Sequence, residues 1–177
     1  TNVDTNSRIL CYDIRDLGKQ LLPVGMLVVL DSVFNRIIRN RRLGRSTWVY
    51  IDEIYLLFQH EYSANFLFTL WKRVRKYGAC CTGLTQNVDD LLQSHTARTM
   101  LANSEFLVML NQASTDRAEL ARLLNISDNQ LSYITNVDFG RGLIKCGSAI
   151  VPFMDHFPKN NLYRLMSTKP SEADAAV

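Results

Sequence analysis

Hydrophobic and polar residues follow two different periods along the chain, and the changes between them predict its strands and helices. Short, nearly continuous apolar runs predict strands at 9–14, 47–52, 79–84 and 106–110. Apolar positions at helical spacing predict helices at 22–43, 63–77, 88–103, 114–124 and 127–134. Two further apolar runs, 143–146 and 149–154, flank Gly147-Ser148 and predict a β-hairpin. Strands that alternate with helices indicate an α/β fold with a mainly parallel sheet, closed by a terminal antiparallel hairpin.

Local signals support several of these boundaries. Gly44 follows the end of the first long helix, where a glycine commonly stops a helix. The run 47–52 is apolar nearly throughout, as expected of a strand that is buried on both faces of a sheet. Ser127 and Gln130 have the spacing of a capping box, which predicts the start of a short helix.

Composition places the chain among globular proteins with a hydrophobic core. Its 177 residues are 47% hydrophobic and 21% charged. This usage suits one domain and excludes a disordered tail, a collagen-like repeat and a small disulfide scaffold. The longest apolar run, 21–30, is too short to span a bilayer, and the first residues lack the pattern of a signal peptide. Because the chain starts with Thr1 rather than Met, we expect it to be a fragment of a longer protein.

Positive charge is unevenly distributed along the chain, although the net charge is only +3. Two clusters of cations lie on predicted helices, and they comprise Arg36, Arg39, Arg41, Arg42, Arg45, Lys72, Arg73, Arg75 and Lys76. Such clusters are often solvated helix faces with no partner. They also suit a basic surface for nucleic acid, an anionic membrane or an acidic neighbour, and the sequence leaves both interpretations open.

The cysteines indicate reduced thiols rather than a metal site. The sequence contains no Cys-x-x-Cys pair, which argues against zinc. Cys80 and Cys81 are adjacent in a predicted strand and point to opposite faces, which argues against a bond between them. Each cysteine lies in an apolar, strand-like run, where Cys acts as a small hydrophobic residue. We expect Cys11, Cys80, Cys81 and Cys146 to be free thiols in a cytosolic compartment.

Two adjacent carboxylates, Asp52 and Glu53, follow the predicted strand at 47–52. Ligands of open parallel sheets bind at the carboxyl edge of the strands. In phosphoryl-transfer enzymes such a strand supplies an Asp for the magnesium shell, and a following Glu can orient or deprotonate the attacking water. The alternative is that the two acids only mark the point where the strand meets solvent.

Gln86 follows the next predicted strand, at 79–84. If the two strands are neighbours, Gln86 lies at the same sheet edge as Asp52 and Glu53. An amide can donate to a phosphate oxygen and accept from a water, which suits a sensor of the γ-phosphate. The alternative is a polar strand end that caps the following helix.

Several segments in a fixed order carry a resemblance to a known family, and they are 48–59, 70–78, 83–92, 102–113, 116–120 and 142–146. Over roughly residues 9–170 the chain resembles the VirB-type (TraC/TraE-type) conjugation ATPases of type IV secretion systems, in particular those of Gram-positive conjugative elements. That family belongs with the RecA-like motors of the FtsK/HerA group. The resemblance therefore implies the C-terminal half of a RecA-like P-loop NTPase core.

The resemblance also implies a role for individual residues in an ATP site that uses Mg²⁺. Asp52 matches the magnesium-shell acid, Glu53 the catalytic glutamate and Gln86 the glutamine sensor. Arg117 resembles the arginine finger that related motors offer in trans to a neighbour's ATP, and Arg98 is the second candidate. Both arginines are also compatible with an ordinary position on a helix.

One departure from the family pattern concerns the phosphate-binding loop. The sequence contains no Gly-x-x-x-x-Gly-Lys-Ser/Thr motif, since its only Gly-Lys pair, Gly18-Lys19, is followed by Gln20. We therefore expect 1–168 to be the C-terminal portion of a motor domain whose Walker A half is missing, and 169–177 to be a flexible tail. We expect no meaningful ATP hydrolysis by the chain alone.

For the intact protein, the resemblance implies an ATPase that couples hydrolysis to channel assembly or to transfer of DNA or protein. Its expected form is a hexamer at the cytoplasmic, inner face of the cell membrane, attached peripherally through other type IV secretion components. DNA is a further partner that the basic clusters permit. Two alternatives stay open, namely a non-catalytic interaction module of the secretion apparatus and a DNA-translocating motor of the FtsK/HerA type.

Overall fold

The structure, a computed structural model, describes residues 6–14, 16–18, 20–86 and 88–167. The chain divides into two compact units, Thr1–Leu101 and Ala102–Val177. The first unit contains the predicted carboxylate pair and Gln86, and the second contains Arg117. The predicted flexible tail, 169–177, lies outside the described residues.

The first unit consists of helices α1 to α4 and strands β1 and β2. In chain order these are α1 Leu22–Arg42, β1 Thr47–Ile51, α2 Glu61–Arg73, β2 Ala79–Gly83, α3 Val88–Gln93 and α4 His95–Ala102. Two 3₁₀ segments, Ile54–Phe58 after β1 and Val74–Tyr77 after α2, complete the unit. The predicted helices at 22–43 and 63–77 and both of these strands are confirmed within a few residues at their ends.

The core of the first unit forms where α1 packs against α2. Ile37 of α1 and Leu67 of α2 are fully buried, and both belong to apolar positions at helical spacing. Phe34 of α1 makes edge-to-face contacts with Phe66 and Tyr77, at ring-centroid distances of 6.4 and 5.6 Å. Burial of each such large side chain stabilises the fold by about 1.5–3 kcal/mol.

Strands β1 and β2 pair in parallel, with Thr47 opposite Ala79 and Ile51 opposite Gly83. The crossover through α2 makes this arrangement possible, because parallel strands need a long connection. Trp48 and Tyr50 of β1 are 66% and 67% exposed, while the alternate residues are half-buried. The prediction that this strand is buried on both faces is therefore wrong, because its side chains alternate between a packed and an exposed face.

Two other predictions for the first unit are also wrong. Residues 9–14 do not form a strand; instead, Tyr12 and Ser32 on α1 share a hydrogen bond of 3.0 Å between their hydroxyl oxygens. The predicted helix at 88–103 is two helices, separated at Ser94. The Ser94 hydroxyl accepts a hydrogen bond from the Ala97 backbone N–H at 3.3 Å, so it caps the second helix and competes with continuation of the first.

The second unit is built around three antiparallel strands. Its elements are β3 Phe106–Met109, α5 Ser114–Leu124, α6 Asp128–Leu131, the 3₁₀ segment Ser132–Ile134, β4 Arg141–Cys146, β5 Ala149–Met154 and α7 Asn161–Met166. Strand β4 lies between β3 and β5. Ile134 and Leu143 are fully buried in this unit. Helix α7 has no counterpart in the sequence predictions.

The C-terminal hairpin and its capping signals form as predicted. Cys146 pairs with Ala149, so Gly147-Ser148 is the two-residue turn, and Gly147 has the positive φ of 56° that such turns require. The Ser127 and Gln130 capping box is present with both of its hydrogen bonds. Because β3 pairs with β4 in antiparallel fashion, parallel pairing among the described residues is confined to β1 and β2. The expected mainly parallel sheet is thus limited to the first unit.

Candidate functional site

The carboxyl ends of β1 and β2 lie side by side in the first unit. The parallel register carries Ile51 opposite Gly83, so Asp52 and Glu53 leave the sheet at the same edge as the segment that leads to Gln86. Sequence analysis predicted this adjacency on the condition that the two strands are neighbours, and the pairing fulfils that condition. The edge therefore collects two carboxylates and one amide.

Backbone hydrogen bonds from Leu84 hold the carboxylate pair in a fixed turn. The Leu84 N–H donates to the Ile51 carbonyl at 2.8 Å, and the Ile54 N–H donates to the Leu84 carbonyl at 2.9 Å. Asp52 and Glu53 therefore form a two-residue turn between Ile51 and Ile54, which both bond to Leu84, the residue directly after β2. We call this arrangement the Leu84 clamp.

Glu53 adopts an unusual backbone conformation within this turn. Its φ and ψ are 47° and 48°, in the left-handed region that costs an L-residue about 1–2 kcal/mol. The Asp52 carboxylate partly offsets this cost, because its Oδ1 accepts a hydrogen bond from the Glu53 N–H at 3.0 Å. Non-glycine residues in such conformations are concentrated at functional sites.

One oxygen of Glu53 is buried without a partner. Glu53 Oε2 is inaccessible to solvent and accepts no hydrogen bond from the described residues. Burial of a carboxylate oxygen without a hydrogen bond costs desolvation free energy, which a bound water or ligand that donates to the oxygen would offset. Strain and an unpartnered acceptor thus coincide on one residue.

The acids at this edge fit a magnesium ion that keeps most of its water. Among the described residues no group of three or more His, Cys, Asp or Glu side chains could hold a metal ion. Mg²⁺ commonly binds through one or two carboxylates, with waters and substrate phosphates as the other ligands. Asp52 is exposed at the strand end and can fill such a position.

Gln86 lies in the bend between β2 and α3 and is exposed. The structure thus leaves its amide accessible at the same edge as the two acids. Nearby, a cleft of about 450 Å³ is lined in part by Tyr55, Phe58, Glu61 and Asp90. Its two acids disfavour a triphosphate, so this cleft is a poor candidate for phosphate binding.

Arg98, the second arginine-finger candidate, has a structural contact inside the first unit. It is half-buried on α4, and its Nε donates to the Leu92 carbonyl in the last turn of α3. This bond satisfies a carbonyl that the break at Ser94 would otherwise leave without a helical donor. Arg98 therefore helps to hold the two helices together.

Arg117 is held in place within the second unit. It is half-buried on α5, and its Nη1 donates to Thr135 Oγ1 at 2.5 Å. The Thr135 hydroxyl in turn donates to the Leu131 carbonyl at 2.7 Å. Arg117 Nε is buried and has no hydrogen-bond partner among the described residues. The guanidinium is thus held through Nη1, while Nε remains a donor without a partner among the described residues.

The sequence analysis missed two features of the site. The Leu84 clamp consists of main-chain atoms, so no residue type marks it in the sequence. The predictions placed Gly83 in the strand at 79–84 but gave it no role of its own, although a glycine at the end of a strand can signal a close approach. A Cβ on Gly83 would lie 2.5 Å from Ile54 Cδ1. The absence of a side chain on Gly83 therefore leaves the space that the Ile54 side chain occupies.

Parallel strands connected through a helix, with an Asp–Glu pair at their carboxyl edge, are typical of the class of P-loop NTPases. Comparison with known proteins agrees: the chain matches the TraG P-loop domain family over residues 4–141, and it belongs to that family. Its fold is similar to that of VirB4 from Thermoanaerobacter pseudethanolicus, with a TM-score of 0.80 and 24% sequence identity. The similarity covers 90% of this chain and 44% of that one. No curated protein matches the chain.

These comparisons confirm the expected fold class, a RecA-like P-loop NTPase core, and the resemblance to VirB-type conjugation ATPases. The chain spans less than half the length of the VirB4 structure that it matches. The roles assigned to Asp52, Glu53, Gln86, Arg98 and Arg117 stay predictions.

Proposed function

We propose that this chain forms one side of the ATP site in a motor ATPase of a type IV secretion system. The observation that carries the proposal is Glu53, which combines a left-handed backbone with a buried, unpartnered oxygen. It is supported by Asp52 and Gln86 at the same sheet edge and by membership of the TraG P-loop domain family. The activity assigned to the intact protein is hydrolysis of ATP.

In this proposal the chain's own side chains divide the work at the carboxyl edge. Asp52 holds the hydrated magnesium ion, which neutralises phosphate charge when it is bound. Glu53 accepts a hydrogen bond from the attacking water through Oε2 and orients it towards the γ-phosphate. The Leu84 clamp holds Glu53 in this position before ATP arrives, so little reorganisation is needed during reaction. Gln86 donates its amide N–H to a γ-phosphate oxygen.

The remaining groups come from outside this chain or from a second copy. The sequence has no Walker A motif, so the backbone cradle and the lysine for the phosphates are supplied by another segment of the intact protein. Arg117 serves a neighbouring subunit's ATP, and its bond to Thr135 orients it for that task. This requires a ring of subunits, and we propose a hexamer. The isolated chain then has no meaningful ATPase activity.

The intact protein's setting is part of the same proposal. We place it at the cytoplasmic face of the inner membrane, attached peripherally through other type IV secretion components. Its energy would drive channel assembly or transfer of DNA or protein. None of the described helices is long and apolar enough to cross a membrane.

The magnesium role of Asp52 can be tested in the intact protein. Asp52→Asn removes the charge that holds the hydrated ion, so the Mg²⁺ concentration for half-maximal ATP hydrolysis should rise about 10- to 100-fold. The matched control is Asp31→Asn, which alters an exposed carboxylate on α1 that accepts from Asn35 at 2.9 Å. An unchanged Mg²⁺ requirement in Asp52→Asn would remove Asp52 from the site.

A further inference from the structure

Positive charge is concentrated in two stretches of the first unit. Residues 32–51 and 62–88 contain nine of the chain's 20 Lys and Arg residues and none of its 17 Asp and Glu residues. The remainder of the chain therefore has eleven cations against seventeen acids. Segregation on this scale creates a local field that the net charge of +3 conceals.

The fold brings the two stretches together at the amino ends of β1 and β2. Asn40 near the end of α1 donates through Nδ2 to Thr47 Oγ1 at 2.9 Å, and Thr47 N–H donates to the Gly78 carbonyl at 3.4 Å. The side chain of Arg41 lies against Gly78, since a Cβ there would be 3.5 Å from Arg41 Nη1. The end of α1 and the segment that follows α2 thus meet at one edge of the sheet.

The cations at this edge are exposed to solvent. We define the amino-edge basic surface by its eight exposed members, Arg39, Arg41, Arg42, Arg45, Lys72, Arg73, Arg75 and Lys76. No carboxylate in the described part of the chain forms an ion pair with any of them. Arg39 donates to Asn6 Oδ1 at 3.3 Å, and Lys72 Nζ lies 4.0 Å from the centroid of the Phe68 ring. Their charge is therefore available to a partner.

This surface is separate from the proposed ATP site. It lies at the amino edge of the sheet, whereas Asp52 and Glu53 follow the carboxyl end of β1. Strand β1 has five residues, so the two edges are about 13 Å apart at 3.3 Å per residue. A partner on the basic surface therefore does not compete with the γ-phosphate side of the ATP site in the same subunit.

We propose that the amino-edge basic surface binds the phosphate backbone of nucleic acid. Six of its eight cations are arginines, whose planar forks match phosphate oxygens in pairs. Two large apolar side chains are exposed beside these cations, Leu43 at 56% and Trp48 at 66%, and two such side chains offer little apolar area to insert into a bilayer. Because the surface offers charges for phosphate groups rather than an element that contacts base edges in a groove, we expect it to bind without base specificity.

The test measures binding of a labelled, random-sequence DNA duplex to the intact protein, without nucleotide, across a range of salt concentrations. Arg42→Gln/Arg75→Gln removes one cation from each side of the surface. We expect the dissociation constant at physiological salt to rise about tenfold or more, and the slope of log K against log salt to fall by about 2. The matched control, Arg122→Gln/Lys159→Gln, removes two exposed cations of the second unit and should change neither value.

Three results would overturn the proposal. The first is no DNA binding by the unmodified protein at low salt. The second is equal weakening by both double variants, which would indicate attraction by net charge alone. The third is co-sedimentation with phosphatidylglycerol vesicles, lost in Arg42→Gln/Arg75→Gln, under salt conditions where DNA does not bind, which would assign the surface to a membrane. Because no nucleotide is present, failure here is distinguishable from failure of the proposed ATP site.

Discussion

At the residue scale, Glu53 has two features that destabilise the fold, a left-handed backbone and a buried carboxylate oxygen without a partner. Its left-handed backbone costs about 1–2 kcal/mol, and its buried Oε2 adds a desolvation cost. Asn125 and Asn136 also have positive φ, but Asn tolerates that region because its short amide bonds locally. Glu has no such advantage, so the conformation points to a use for the carboxylate.

Cys81 offers a residue-scale test of how the first unit is packed. Burial raises the pKa of its thiol from 9.0 to about 12, and the neighbouring Cys80 adds to the rise. Since the thiolate is the reactive form, Cys81 should react with iodoacetamide far more slowly than the exposed Cys80 at pH 8, as measured by mass spectrometry of the modified peptides.

The same pKa sets the sign of a pH effect on stability. A thiol whose pKa is higher in the folded state contributes stability that is complete below pH 9 and is lost as the pH rises towards 12. Cys81→Ala should lack this component of the pH dependence. Equal alkylation rates for Cys80 and Cys81 would show that β2 is more open than described.

At the element scale, the joint between β1 and β2 governs the geometry of the proposed site. The Leu84 clamp connects both strand ends, and Ile54 occupies the space above Gly83. We expect a displacement of Ile54 to disturb Glu53, which precedes it in the chain. The joint is therefore the element through which packing can affect catalysis.

Gly83→Ala tests this joint in the intact protein. The new Cβ would lie 2.5 Å from Ile54 Cδ1, so the buried Ile54 side chain must shift, and we expect this shift to disturb Glu53, which precedes it in the chain. We expect kcat for ATP hydrolysis to fall about tenfold or more with little change in KM, because the misplacement affects the attacking water rather than ATP binding.

A second substitution separates a positioning role from general destabilisation. Ile54→Val removes the Cδ1 atom that the new methyl group meets, so Gly83→Ala/Ile54→Val should recover much of the lost kcat. Gly18→Ala, where a Cβ would contact nothing within 4 Å, is the matched control. A double variant as slow as Gly83→Ala would contradict the packing account.

The sequence predicted those elements whose apolar pattern has one clear period. Helices α1, α2 and α5 and strands β1, β2 and β3 form where their side-chain period places one face in a core. The run at 9–14 has strand-like composition but no partner strand within the described residues, and Ser94 interrupts a continuous helical pattern through a local cap. The apolar pattern alone does not show whether a strand finds a partner strand, or whether a side-chain cap competes with continuation of a helix.

At the scale of the whole molecule, the first unit has two chemically different sheet edges. The carboxyl edge carries Asp52 and Glu53, and the amino edge carries the basic surface. The sequence located both sets of residues, and the parallel pairing of β1 and β2 placed them at opposite ends of the same strands. The convergence of the two cation clusters depends on how α1 packs against α2, which no local pattern encodes.

The measurement that tests the central claim most directly is ATP turnover by Glu53→Gln in the intact protein. The amide keeps the size of the side chain but cannot accept a proton from the attacking water, so kcat should fall about 100-fold or more while ATP affinity is retained. Glu105→Gln, at an exposed acid before β3, is the control and should hydrolyse ATP normally. Turnover by Glu53→Gln at the unmodified rate would contradict the assignment of a catalytic site to this edge.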